Sequence, residues 1–249
     1  MRKFGLIGYP LGHSFSQKYF TEKFAEENIP GCYENFPLSS LDDFPDLISA
    51  NPDLCGLNVT IPYKTEILEH VDETDNIVRE IGAANVLKIR RKAGKTRIIA
   101  YNSDVVGIRD SVLSFFQGAY DNALIIGTGG ASKAVSFTLR NLGFRVLIVS
   151  RNKKGDMLGY DDVNAELLKN IRLIVNATPL GMFPDTEGKP DIDYNLLDER
   201  HTLFDLVYNP EFTLFLKKGK ERGCKIITGI KMLYSQAERS WEIWNDDKL

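Results

Sequence analysis

Short apolar runs alternate along the chain with stretches whose apolar residues recur at helical spacing, a rhythm that reads as βαβ units on a mostly parallel sheet. The plainest unit is the strand Ala123-Leu124-Ile125-Ile126, the glycine cluster Gly127-Thr128-Gly129-Gly130, and a helix from Ala131 to Leu142. In that helix Ala134, Val135, Thr138, Leu139 and Leu142 fall at helical spacing. Gly143 ends it, and Arg145 to Val149 is the next strand. Further strands are expected at 173–175, 203–207 and 225–227, so residues from 103 to about 230 read as one doubly wound domain.

The first hundred residues have their own rhythm. A strand at Phe4-Gly5-Leu6-Ile7 leads through a Gly/Pro/Ser loop into a helix near 16–28, and Gly56 to Ile61 reads as a second strand. Glu66 to Glu80 is expected to be helical. Asn85 to Ile89 and Arg97 to Tyr101 flank a polar turn at Ala93-Gly94, a hairpin signature. Lys231 to Trp244 patterns as an amphipathic helix.

Composition narrows the class. At 249 residues the chain suits two domains, taking about 100–150 residues each. Hydrophobic residues at 43% and charged residues at 26% exclude disorder and coiled coil. With 31 basic against 34 acidic side chains the net charge is -3, which recommends neither a nucleic-acid nor a membrane partner. Cys32, Cys55 and Cys224 are odd in number and form no CxxC pair, and His13, His70 and His201 are scattered, so neither a disulfide framework nor a metal site is expected. No signal peptide and no run of 18 apolar residues is found, so a cytoplasmic location follows as the expectation.

Gly127-x-Gly129-x-x-Ser132 lies between a strand and a helix, where small residues let a pyrophosphate meet the helix N-terminus. Glycines at such a turn also serve only to relieve backbone strain. About 20 residues on, where NAD sites place an acid, the chain has Ser150-Arg151-Asn152-Lys153-Lys154. An arginine with lysines suits a 2′-phosphate, so NADP is read over NAD, against a merely solvated basic turn. Other polar residues stand where a scaffold does not need them. Ser14 or Ser16 could cap the helix that follows. Asn58 and Thr60 alternate onto one strand face, with Lys64 beyond a strand-ending proline. Asn85 starts a strand, and Asn102-Ser103-Asp104 ends one, with Asp104 equally readable as a helix cap.

These residues resemble the shikimate dehydrogenase family. The resemblance rests on Gly8-Tyr9-Pro10 with His13-Ser14-Phe15-Ser16, on Asn58-Val59-Thr60-Ile61-Pro62-Tyr63-Lys64, on Gly82-Ala83-Ala84-Asn85 and on Asn102-Ser103-Asp104-Val105-Val106-Gly107. It continues through Gly127 to Ala131, Asn176 to Met182, Asp205 to Thr213, and Gly229-Ile230-Lys231-Met232-Leu233 with Gln236, all in the family's order. It implies an α/β fold of two domains: an N-terminal α/β substrate domain (1–102 plus 232–249) and a doubly wound Rossmann-type NADP-binding domain (103–231), with a C-terminal helix returning to the first.

The implied reaction is the reversible, NADPH-dependent reduction of 3-dehydroshikimate to shikimate, on the route to chorismate and the aromatic amino acids. Position by position, the resemblance assigns Lys64 and Asp104 as the catalytic pair. It assigns Ser14, Ser16, Thr60, Asn85, Tyr208 and Gln236 to the substrate, and Gly127, Thr128, Gly129, Gly130, Ala131, Ser150, Arg151, Asn152, Leu206 and Gly229 to the cofactor. A monomer or homodimer is expected. Departures from the family pattern are Gln17 where proline is usual, Phe20-Thr21 for a histidine-asparagine pair, and Ser103 and Asn152 for threonines. Two other readings are a quinate/shikimate dehydrogenase of relaxed choice, whose ribose loop tends to carry an acid, and a non-catalytic NADP-sensing module, which would need neither Lys64 nor Asp104. Finally, only the 21 residues 152–172 separate Arg151 from the strand at Leu173. The helix that normally follows the 2′-phosphate loop is therefore expected to be absent, with 157–160 at most a short edge strand and a wall of the adenine pocket lost.

Overall fold

The computed structural model describes residues 1–11, 14–116 and 122–246; His13, part of the motif quoted above, lies outside the described residues. Along the chain run β1 (Arg2–Gly8), α1 (Phe15–Glu26), β2 (Gly31–Pro37), α2 (Phe44–Ala50), β3 (Leu54–Val59), β4 (Glu73–Thr74), α3 (Asn76–Ile81), β5 (Val86–Lys92) and β6 (Lys95–Tyr101). There follow α4 (Asp104–Leu113), β7 (Asn122–Ile126), α5 (Gly130–Asn141), β8 (Arg145–Val149), α6 (Ala165–Leu168), β9 (Ile171–Asn176), β10 (Thr202–Asp205), α7 (Leu214–Glu221), β11 (Lys225–Ile227) and α8 (Gly229–Asn245). The chain divides into two compact units, residues 1–103 with 237–249, and residues 104–236.

The first unit is built on a sheet of order β2-β1-β3-β5-β6-β4. β1 pairs in parallel with both neighbours, whereas β5 runs antiparallel to β3 and to β6. The run Phe4 to Ile7 is buried on both faces of β1, as a central strand requires. One face packs Leu57, Val59, Leu87 and Ile67 with Phe44 of α2. The other is aromatic: Phe4 stacks on Trp244 with centroids 4.9 Å apart, and Phe20 on Tyr33 at 4.8 Å. Burial of each such ring contributes about 1.5–3 kcal/mol, so Trp244 helps to hold the end of α8 on the sheet. Phe20 also explains one departure from the family pattern, because it is a core ring rather than a polar contact. β5 and β6 form the expected hairpin, with Ala93 and Gly94 at φ of 51° and 74°.

Three expectations need correction here. The helix expected over 66–80 is broken into a 3-10 turn at Glu66–His70, the short β4, and α3. Asp72 exchanges bonds with Ile98 through its own N–H (2.9 Å) and carboxylate (2.7 Å), which draws this stretch into the sheet edge. Asp75 then caps α3 by accepting from the Val78 N–H at 2.7 Å. The second strand is β3, which ends at Val59 and leaves Thr60 and Ile61 in the loop. The strand expected to reach Val207 stops at Asp205, whose carboxylate takes the Val207 N–H at 3.0 Å.

The second unit carries a five-stranded sheet of order β11-β10-β9-β7-β8, parallel throughout. Leu124, Ile126, Ile174, Leu203, Phe215 and Leu216 form part of its core. No helix occurs between 152 and 159; the only pairing there is a single parallel bridge from Leu158 to Val149. With that bridge counted as a vestigial third strand, the order is the Rossmann sequence 3-2-1-4-5-6.

Candidate active site

In the first unit the sheet geometry collects polar positions at one end. β1 and β3 are parallel and both finish there, and β5 begins there because it is antiparallel to β3. The Thr60 N–H donates to the Ile7 carbonyl at 3.0 Å, and the Val59 N–H donates to the Asn85 carbonyl at 2.9 Å. Lys64, half-buried in the loop after β3, accepts the Ala84 N–H on its carbonyl at 2.7 Å. That bond ties the lysine's backbone to the segment that delivers Asn85.

Asn85 is buried and its amide is fixed in one orientation. Its Oδ1 accepts from the Ser103 N–H at 2.7 Å, and its Nδ2 donates to Ser103 Oγ at 3.0 Å. Asn102 Nδ2 donates to the Ala83 carbonyl at 2.9 Å. Ser14 does cap α1, accepting from the Gln17 N–H at 3.3 Å. Ser16 lies in the first turn of α1, and burial holds the Tyr33 phenol well above the usual range. Tyr33, Asn58 and Ser240 complete this polar interior. Pattern reasoning singled out Asn58 on its strand face but passed over Tyr33 and Ser240, since a buried tyrosine and a helix-face serine carry no local signal.

In the second unit Asp104 opens α4 and is buried, so it is the first residue of the helix rather than its cap. The glycine turn has the form a dinucleotide requires. Gly127 sits at φ 115°, reserved in practice for glycine, and its carbonyl accepts the Ser132 hydroxyl at 2.6 Å. Gly129 occupies the cap position of α5 without any side-chain cap, and a Cβ there would meet nothing within 4 Å. Thr128, Gly130 and Ala131 complete a turn open above a helix N-terminus, so the residues present fit a pyrophosphate. At the end of β8 the Ser150 N–H donates to the Leu158 carbonyl at 2.9 Å, and Ser150 Oγ accepts the Asn152 N–H at 3.1 Å. Arg151 and Asn152 are exposed beyond it. Lys153 is drawn away to Asp162 at 2.7 Å, and that bond with the Gly159 N–H holds the Asp162 carboxyl below its ordinary range.

The segment after β10 is organised by a buried carboxylate without an assigned role in the sequence. Asp205 accepts from Thr213 Oγ1 (2.5 Å), Asn176 Nδ2 (3.0 Å) and the Val207 N–H (3.0 Å), yet burial pushes it up to about 7. The Leu206 N–H donates to the Asn176 carbonyl at 3.1 Å. Tyr208 follows, half-buried, its phenol raised by desolvation. Gly229 opens α8 so close to this segment that a Cβ would stand 2.8 Å from the Leu206 and Val207 carbonyl oxygens. Two turns along α8, Gln236 Nε2 donates to the Leu233 carbonyl at 2.9 Å. Among the described residues no group of His, Cys, Asp and Glu is placed to hold a metal ion, and no helix is long and apolar enough to cross a membrane.

Known proteins place this arrangement. Residues 6–87 match the family model described as the shikimate dehydrogenase substrate binding domain. A protein of Methanococcus aeolicus named shikimate dehydrogenase (NADP(+)) is 34% identical, covering 98% of this chain and 92% of its own. A namesake from Methanococcus maripaludis is 37% identical, again over 98% and 92%. Among solved structures, a shikimate dehydrogenase in complex with NADP+ superposes with a TM-score of 0.86 at 32% identity, covering 98% of this chain and 90% of that one. The Thermus thermophilus enzyme, in complex with NADP(H) and shikimate, gives 0.85 at 29%, over 98% and 94%. With its paired units, its glycine turn and its full-length relatives, the chain belongs to the shikimate dehydrogenase family.

Proposed function

We propose that this chain catalyses the reversible, NADPH-dependent reduction of 3-dehydroshikimate to shikimate, with most substrate contacts drawn from the first unit and the cofactor contacts from the second. The observation that carries the reading is the match over nearly the whole chain to relatives named shikimate dehydrogenase (NADP(+)). It is supported by the presence here of Lys64, Asp104 and the whole polar set assigned above. Ser14, Ser16, Thr60, Asn85, Tyr208 and Gln236 hold the substrate carboxylate and hydroxyls. When bound, the nicotinamide supplies or accepts the hydride.

The chain's own residues then have a proton to manage. Hydride transfer at a ring carbon is coupled to proton transfer at its oxygen, and Lys64 with Asp104 handles that proton. The Lys64 ammonium also favours negative charge developing on the same oxygen. Gly127 to Ala131 seat the pyrophosphate, and Ser150, Leu206 and Gly229 flank the cofactor. Arg151, exposed at the end of β8, grips the 2′-phosphate beside Asn152.

The test mixes purified protein with shikimate and NADP and follows the reduced-nicotinamide absorbance. A rise with shikimate and NADP, much slower with quinate or with NAD, is expected. No rise at saturating concentrations overturns the reaction, and equal rates with quinate and NAD move the chain to the relaxed relatives.

A further inference from the structure

The interior of the first unit contains an unbroken run of hydrogen-bonded polar side chains. The Tyr33 hydroxyl donates to Asn58 Oδ1 at 2.8 Å. Asn58 Nδ2 donates to Ser240 Oγ at 3.0 Å and to the Asn85 carbonyl at 3.3 Å. The Ser240 and Ser103 hydroxyls lie 3.1 Å apart, and Ser103 meets the Asn85 amide through both its N–H and its Oγ. Tyr33, Asn58, Asn85, Ser103 and Ser240 are all buried, the two serines completely.

Donor and acceptor roles leave this run little freedom. The Asn85 carbonyl accepts from Asn58 Nδ2, so the Asn58 amide cannot turn without setting acceptor against acceptor. Ser240 therefore accepts from Asn58, and its hydroxyl lies within hydrogen-bond distance of the Ser103 hydroxyl, where either can donate. The Ser103 hydroxyl, also 3.3 Å from Asn85 Oδ1, closes on the Asn85 amide. Ser240 reaches this point because the end of α8 is locked to β5: Trp244 Nε1 donates to the Leu87 carbonyl at 3.0 Å, and the buried Lys88 ammonium donates to the Ile243 carbonyl at 2.8 Å. An alanine at 240 would occupy the same space without the cost of desolvating a hydroxyl, and what the hydroxyl adds is orientation of the amides.

We propose that Ser240 is a positioning residue: acting through Asn58 and Ser103, it holds the Asn85 amide in the orientation that receives the substrate. The proposal rests on the reading of Asn85 as a substrate contact, and the experiment separates the two. In the full-length enzyme, Ser240→Ala should raise the KM for shikimate about tenfold, the scale of one well-placed buried hydrogen bond, with the KM for NADP unchanged within twofold. Asn85→Ala is measured beside it, and then the double variant. If Ser240 acts through Asn85, adding Ser240→Ala to Asn85→Ala shifts the shikimate KM by less than twofold. An unchanged shikimate KM in Asn85→Ala overturns the reading underneath. A raised KM in Asn85→Ala with an unchanged one in Ser240→Ala overturns the positioning role alone, as do effects that multiply fully in the double variant. Should Ser240→Ala fail to fold, Ser240→Cys, with a weak donor of similar size, must still raise the KM for shikimate and not that for NADP.

Discussion

Stability should fall with rising pH across the titration of one buried carboxyl, Asp205. It is fully buried at the end of β10, and desolvation raises it to about 7 although three hydrogen bonds favour its ionised form. Its ordinary value is 3.8. Below pH 4 the proton is bound in folded and unfolded chains alike, and the stabilising contribution of the neutral form is complete. Between pH 4 and 7 the folded chain keeps a proton that the unfolded chain has released, so each step upward in pH favours unfolding. By pH 8 the contribution is gone. Integrated between a folded value of about 7 and 3.8, the loss from pH 5 to pH 8 is about 2.5 kcal/mol.

The perturbation that isolates it is Asp205→Asn, which cannot ionise. With its oxygen kept toward the Val207 N–H and Asn176 Nδ2, the amide turns its NH2 to the Thr213 hydroxyl, which must then accept rather than donate, so the variant is expected to be weaker throughout. The quantity read is how the difference between wild type and variant changes with pH. Denaturant unfolding at pH 5, 6, 7 and 8 should show the wild-type advantage shrinking by about 2.5 kcal/mol, mostly below pH 7. A constant difference would mean that Asp205 does not titrate in this range. An advantage that grows with pH would mean that the three donors outweigh burial and the carboxylate is ionised throughout.

Three further outcomes are expected. Lys64→Ala should lower kcat by roughly 10²–10⁴-fold, the scale of a lost acid–base group; a tenfold or smaller loss, or a change in KM alone, would remove it from the chemical step. Arg151→Ala should weaken NADP by about 1.5–3 kcal/mol while leaving NAD nearly untouched, and equal losses in titration calorimetry would reduce the arginine to a solvated turn. Gly56→Ala should cost about 1–3 kcal/mol in thermal or denaturant unfolding, because its Cβ would collide with the Trp244 indole; a loss below about 0.5 kcal/mol would show that α8 yields freely there.

What the sequence made legible follows from where its signals are local. The glycine turn, the hairpin at Ala93-Gly94 and the strands of the second unit announce themselves because one chain segment decides each. The stretch 66–80 does not: its apolar spacing suits a helix, but Asp72 finds Ile98 across 26 positions of chain and Asp75 restarts the helix. β2 was illegible for the same reason, since Gly31 to Pro37 becomes a strand by pairing alongside β1. In the site, Asn85 and Lys64 stand in recognisable motifs. Ser240 stands in none, and its partner Asn58 is 182 positions away.

The shortened crossover after β8 shows how a truncated element keeps its pairing. From Val149 to its bridge partner Leu158 only residues 150–157 intervene, below the dozen or so that a helical crossover needs. The third strand of the Rossmann order therefore shrinks to one residue, yet the Ser150 N–H still finds the Leu158 carbonyl and the Leu158 N–H the Ile148 carbonyl, at 2.9 and 2.8 Å. The apolar cover that a helix would give falls to the residues that follow, with Leu158, Tyr160, Val163 and Leu168 packing with Leu147 and Val149. The Tyr160–Asp162 turn is fastened by Asp162, which accepts from the Gly159 N–H and from Lys153. Lys153 shares its charge with Asp162 at the surface, so Arg151 and Lys154 are the cations this turn most readily offers a 2′-phosphate. Selectivity for NADP should accordingly rest more heavily on Arg151 than the basic run Arg151-Asn152-Lys153-Lys154 implies by itself.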